Sequence, residues 1–147
     1  MHLSKFTDYA FRVLMYLAHH QDELHTIPQL AESLQVSQNH LVKVVHFMAK
    51  QGWLITARGK GGGIRISSLI LSMPVGEVIR TLQGNPRLID CNSPVCILKP
   101  HCHLKSVLDH ALEHFYQYLN QYSISECIGS QKLIKGILCG NTTSDGY

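Results

Sequence analysis

Three cysteines in one short stretch, Cys91, Cys96 and Cys102, are the residues best suited to chemistry, separated by four and then five residues. Thiolates are soft ligands, and three of them in a single segment suit an iron–sulfur cluster or zinc. Structural zinc more often uses paired C-x2-C knuckles, which this sequence lacks. The same residues also admit plainer readings, as reactive thiols or as buried cysteines. The chain has five cysteines, and Cys127 and Cys139 have no partner at ligand spacing. An odd count is poor material for a disulfide framework. Three thiolates leave one coordination position to fill. His101 and His103 flank Cys102 and are local candidates, while Asp8 reaches the loop if a dimer brings it alongside.

A second group of residues has the chemistry of a nucleic-acid surface. The formal charge of +3 is modest, but from Val36 to Ile66 the sequence carries Lys43, Lys50, Arg58, Lys60 and Arg65 and no acidic residue. A carboxylate in that stretch would repel phosphates, so its absence suits a surface laid against them. Gln38, Asn39 and His40 lie just ahead of Lys43, and Asn or Gln can make paired hydrogen bonds to adenine. Lys43 and Lys50 are expected on phosphates, which position a protein without specifying sequence. Arg58, Lys60 and Arg65 surround a run of glycines, where an arginine can enter a narrow minor groove. An ordinary solvated face, or a fold of this kind used only for protein contacts, would share the charge. The carboxylate-free stretch favours DNA.

Apolar spacing supplies the elements that must position these groups. Phe6, Ala10, Val13, Leu14, Leu17 and Ala18 recur at steps of three and four, which predicts a helix over 6–19 with Ser4 or Thr7 as its cap. A second helix starts near Thr26 with Pro28 in its first turn. Gln35-Val36-Ser37 forms a tight turn, with Ser37 as N-cap of a third helix whose stripe is Leu41, Val44, Val45 and Met48 and whose stop is Gly52. Trp53–Ala57 and Ile64–Ile66 read as strands joined by a basic, glycine-rich hairpin tip. A short helix is expected from Val75 to Leu82, ended by Gly84 and Pro86. Leu104, Leu108, Ala111, Phe115, Tyr118 and Tyr122 step by four and three, the spacing of a seam against a partner helix. The simplest partner is the same helix in a second copy.

The fold class is therefore mainly α: a winged helix-turn-helix with a two-stranded β wing and a long C-terminal dimerisation helix. The expected organisation is a DNA-binding domain over 1–85, with the helix-turn-helix near 28–51 and the wing near 53–66. A cysteine loop follows over 86–103, a dimerisation helix over 104–125, and a weak helix with a frayed tail over 126–147. No apolar run approaches the roughly 18 residues that span a bilayer, and Asp8 and Arg12 break up any signal-peptide core. The expectation is a cytoplasmic chain in a reducing compartment, with no membrane partner. Gly59, Gly61, Gly62 and Gly63 lie in a hairpin with no helix after it, so they form no phosphate cradle, and no catalytic triad or carboxylate pair is evident. An enzyme is not expected, although an iron–sulfur redox protein would use the same cysteines.

Three motifs occur together: Leu3-x-x-Phe6-Thr7-Asp8-Tyr9, Arg58-Gly59-Lys60-Gly61-Gly62-Gly63-Ile64-Arg65, and Cys91-x4-Cys96-x5-Cys102. With Ser37-x-Asn39-His40-Leu41-Val42-Lys43 between the first two, the chain over roughly residues 1–125 resembles NsrR-type nitric-oxide-sensing repressors of the winged-helix iron–sulfur regulator family. The resemblance implies a homodimer on a partly palindromic double-stranded operator, with nitric oxide as the signal and nitrosative-stress genes under its control. It implies that Cys91, Cys96 and Cys102 hold one iron–sulfur cluster per subunit, 2Fe-2S or 4Fe-4S, whose nitrosylation releases the DNA. It also favours Asp8 of the second subunit as fourth ligand, because His103 follows Cys102 immediately, unlike the pattern of His-ligated relatives. Arg12, one turn after Asp8, is then expected to pair with it once the cluster is lost. Sensing of iron supply or cluster status by the same fold remains an alternative, as does a cluster-free thiol sensor.

Overall fold

A computed structural model of the chain describes residues 2–84 and 86–129. Its helices are α1 (Lys5–His19), α2 (Ile27–Leu34), α3 (Gln38–Lys50), α4 (Ser68–Leu71), α5 (Val75–Gln83) and α6 (Leu104–Leu119). Strands β1 (Leu54–Ala57) and β2 (Gly63–Ile66) follow α3 and form one antiparallel pair, with Leu54 opposite Ile66 and Ala57 opposite Gly63. This is a winged helix-turn-helix with further helices behind it.

The helix starts follow from local chemistry. Ser4 caps α1, its Oγ accepting from the Thr7 N–H at 3.1 Å, while Thr7 itself lies inside the helix. Thr26 and Gln29 form a reciprocal capping box at α2, behind Pro28. Gln35 ends α2 in the left-handed region at φ 52°, where the N–H of Val36 reaches back to the Ala31 carbonyl at 3.0 Å and closes the tight turn. Ser37 occupies the N-cap position of α3 as expected, but its side chain makes no capping bond; its carbonyl accepts the Leu41 N–H, the first bond of the helix, as the Ser4 and Thr26 carbonyls do in α1 and α2. Gly52, at φ 74°, stops α3. Strand β1 begins one residue later than expected, with Trp53 buried in the bend ahead of it. The helix α4 has no counterpart in the apolar periodicity; it is a single turn capped by the Ser67 Oγ.

One core joins these pieces. The buried face of α1 (Ala10, Val13, Leu14, Leu17, Ala18) meets Leu41, Val44, Val45 and Met48 of α3, Val78, Ile79 and Leu82 of α5, and Ile64 and Ile66 of the wing. α6 docks on α5 through Tyr116, Leu112 and Leu119. Arg80 lies over the Tyr116 ring at 4.3 Å and meets Glu113 at 2.9 Å. Pro74 has no side chain able to cap α5, and the Asn120 Oδ1 does so from the far end of α6, accepting from the Glu77 N–H at 3.0 Å.

The C-terminal helix is shorter than its heptad spacing suggested. α6 stops at Leu119, not near 125, and Tyr122 lies beyond it. The chain turns there because its backbone is drawn to α5: the Tyr122 carbonyl accepts from the Val75 N–H and the Ile124 N–H donates to the Met73 carbonyl. A 3-10 turn over Ser125–Cys127 begins the stretch expected as a weak helix. Residues 130–147 of that stretch, with Cys139, lie outside the described residues.

A Cβ at Gly76 would run into the Tyr116 carbonyl and the Asn120 side chain. Gly76→Ala is expected to lower stability by about 1–3 kcal/mol, as overpacking does, seen as a lower midpoint in urea. An unchanged midpoint would show that α6 does not depend on this close approach.

Candidate DNA-reading surface and cysteine loop

Helix α3, the candidate recognition helix, is held by one face. Leu41, Val44, Val45 and Met48 are buried, so the helical period turns Gln38, Asn39, Lys43, His46 and Lys50 outward, and all five are exposed. His40, also exposed, stacks at a tilt on Tyr9 of α1, with 5.8 Å between ring centres. Val42 stands on the outward side as well and is 45% exposed. Sequence periodicity gave no reason to single it out, since a valine on a helix reads as core. With His46, Ala49, Ile27 and the wing residues Thr56 and Ala57, it lines a groove of about 460 Å³ between α3 and β1.

The wing stands beside this helix with Arg58 and Lys60 exposed at its tip; Arg65, also exposed, lies on the opposite face of the hairpin, in a pocket it shares with Asp22. Gly59 and Gly61 take positive φ at its tip, which a side chain would resist. The wing is also fastened at its root by an interaction that spacing did not show. His25 and Ile64 exchange two backbone hydrogen bonds, at 2.9 and 2.8 Å, so the connection between α1 and α2 pairs with β2 as a third short edge. The His25 imidazole is buried there, its Nε2 without a hydrogen-bond partner, between Tyr16 and His20. Burial first, then the neighbouring His20, hold it below the ordinary histidine value, against a weaker opposite pull from Glu23.

The cysteine loop joins α5 to α6. Cys91 is buried, while Cys96 and Cys102 are half-buried, and all three are free thiols. The Cys96 N–H donates to the Cys91 carbonyl at 3.1 Å, which sets the first two cysteines on one turn. Asp90 accepts from the Asn92 N–H, and Lys99 donates to the Asn92 side chain, so the loop's base is bonded on itself. Among the described residues no three His, Cys, Asp or Glu side chains are grouped to hold a metal ion. The donor set fits an iron–sulfur cluster in its chemistry, three free soft thiols in one loop. A bound cluster would have to draw the three thiols and a fourth donor together. His101 and His103 are exposed on the same loop. Asp8 lies in the first turn of α1, where its carboxylate meets the Arg12 guanidinium at 3.0 Å. Cys127 is exposed and apart from this loop in sequence.

The fold and this surface define a winged helix-turn-helix DNA-binding regulator. The sequence profile of the Rrf2 family, described as an iron-dependent transcriptional regulator, matches residues 3–130, and the chain belongs to that family. It is similar to the HTH-type transcriptional regulator NsrR of Bacillus licheniformis, 39% identical over 142 residues that cover 94% of this chain and 99% of that protein. NsrR of Shouchella clausii is 35% identical over 147 residues, covering 97% and 99%. Among solved structures, T. potens IscR superposes with a TM-score of 0.67 at 19% identity, over 100% of this chain and 95% of that one. Staphylococcus aureus CymR does so with a TM-score of 0.68 at 18% identity, over 86% and 98%. The chain is a transcriptional regulator of the Rrf2 class and of the NsrR type, and not an enzyme. No helix among the described residues is long and apolar enough to cross a membrane.

The lowered His25 value has a consequence for stability. A histidine that is harder to protonate when folded contributes its full share above the ordinary value of about 6.5. That share drains away as pH falls towards the lowered folded value. Urea midpoints followed from pH 7.5 down to pH 5 should fall, and His25→Gln should reduce the slope. A slope identical in both proteins would remove His25 as its source.

Proposed function

We propose that this protein is a nitric-oxide-sensitive repressor that binds double-stranded operator DNA as a homodimer and controls nitrosative-stress genes in the cytoplasm. Gln38, Asn39 and His40 meet base edges, Lys43 and Lys50 meet phosphates, and Arg58, Lys60 and Arg65 bring the wing to the backbone or minor groove. Cys91, Cys96 and Cys102 would hold one iron–sulfur cluster per subunit, 2Fe-2S or 4Fe-4S, with Asp8 of the second subunit in the fourth position and His101 or His103 as alternatives. When bound, the cluster supplies iron that nitric oxide attacks. The likeness to proteins named NsrR supports the signal. Support for the dimer comes from α6, whose far side leaves Leu104, Val107 and Tyr118 exposed while the near side is docked on α5.

The observation that carries the reading is that α1, with Asp8 in its first turn, packs directly on the recognition helix. Asp8 can serve a metal or pair with Arg12, and a carboxylate held by one is less available to the other. Phe6 meets Phe47 edge-on at 5.4 Å, and Tyr9 meets His40, so a change in how the first turn of α1 is held reaches the base-reading end of α3. A difference of a few kcal/mol between two such arrangements is enough to switch occupancy. The family description, iron-dependent, favours a second reading in which iron supply is the signal.

Anaerobic purification followed by an ultraviolet–visible spectrum, before and after nitric oxide, tests the sensor. A brown protein whose charge-transfer band bleaches and which then releases operator DNA is the expected result. Bleaching without release would point to the iron-supply reading, and a colourless protein after cluster reconstitution to zinc or bare thiols. Cys96→Ala should abolish the colour and the response; repression and response unchanged in that variant would end the cluster account. Asp8→Ala should weaken cluster retention or switching, and retention of both would exclude Asp8.

The DNA contacts divide in a second experiment. Lys43→Ala should weaken binding about equally on all sequences and flatten the salt dependence by about one unit of slope. Asn39→Ala should cost roughly 1–3 kcal/mol on the preferred sequence only. Equal losses on specific and nonspecific DNA for Asn39→Ala would remove it from base reading.

A further inference from the structure

We infer that Val42 is a specificity-determining residue that reads the methyl group of a thymine in the major groove, an inference that rests on the DNA-binding reading of this surface. Val42 follows Gln38 by four residues and Asn39 by three, and it precedes His46 by four, so it shares their side of α3. Exposed large apolar residues on α3 come down to this one valine, 45% open to solvent amid polar and basic neighbours. A β-branched residue is restricted at χ1 in a helix, and its methyls gain nothing while they face water. Neither local propensity nor the core accounts for it.

Its surroundings say what would cover it. The groove beside Val42 is uncharged, lined by Ile27, Val45, Ala49, Thr56 and Ala57 with His46 at its side. Lys43 and Lys50 are exposed on the same helix, and Arg58 and Lys60 are exposed on the hairpin tip that follows Ala57, while Arg65 lies on the opposite face of the wing with Asp22. A groove with no carboxylate in its lining, on elements that carry exposed cations, fits a polyanion that presents an apolar group between its charged edges. Duplex DNA does so: the C5-methyl of thymine is the apolar feature of the major-groove edge. Asn39, suited to adenine, lies one helical turn from Val42, so the pair would favour A·T steps close together.

The test uses the full-length protein and duplexes enriched from a random pool by the wild-type chain. In the enriched duplex each thymine is replaced singly by uracil, which keeps the pairing and the O4 acceptor and lacks only the methyl. Wild type should bind roughly fourfold more weakly at one position per half-site, about the worth of one buried methyl group. Val42→Ala should bind the thymine duplex more weakly and lose that discrimination, with α3 intact by circular dichroism because alanine favours helix. Equal sensitivity to uracil in both proteins, or no sensitive position in wild type, overturns the inference while leaving DNA binding intact. Failure of the wild-type chain to enrich any sequence overturns both the inference and the reading beneath it.

Discussion

The structure depends on the burial of one face of α1. Ala10, Val13, Leu14, Leu17 and Ala18 are almost wholly excluded from solvent, and the helix they line touches α2, α3, α5 and β2. Complete burial of a leucine or valine is worth about 1.5–3 kcal/mol, so this face contributes much of what a small domain can spend against chain entropy. α3 is anchored to it by four residues, and that anchoring frees the opposite side of α3 to face a ligand. A recognition helix needs this asymmetry: rigid on one side, polar and unencumbered on the other.

The same helix carries polar groups at its edges that join separate parts of the molecule. Asp8 and Arg12 sit on the first two turns, Tyr9 reaches His40, and Tyr16 and His20 enclose His25 at the root of the wing. The wing is thus tied to α1 by packing and to the α1–α2 connection by backbone hydrogen bonds. A two-stranded hairpin alone is marginal in water, and the His25 pairing with Ile64 supplies an added edge. Gly63 lacks a side chain where His25 crosses, and a Cβ there would press on the His25 backbone.

Behind this unit, α5 and α6 form a second attachment. Asn120 caps α5 from a distance, Arg80 bridges to Tyr116 and Glu113, and Gly76 permits close contact. These bonds use the C-terminal part of α6, and its outward apolar residues remain open. The cysteine loop between them places Val95 and Ile97 at 75% and 91% exposure. A loop bonded at its base and apolar at its surface is the kind of segment whose order depends on what it holds or meets.

Most of the framework was legible in the residues themselves. Helix starts were readable because Ser4, Thr26 and Pro28 act on the few residues after them, and the α3 stripe because a period of 3.6 needs no knowledge of the partner. The basic stretch and the cysteine spacing were readable for the same reason, being properties of type and order. Other features depended on contacts between distant residues. The end of α6 at Leu119 is set by hydrogen bonds to Met73 and Val75, so a seam counted along the sequence overran it. Ser37 looked like a capping side chain but its hydroxyl makes no capping bond, a matter of side-chain direction that sequence position does not fix. The His25 lock, the Asn120 cap and the exposure of Val42 came from tertiary structure alone. Each is decided by which surface a neighbouring element happens to cover, and a local pattern does not encode that.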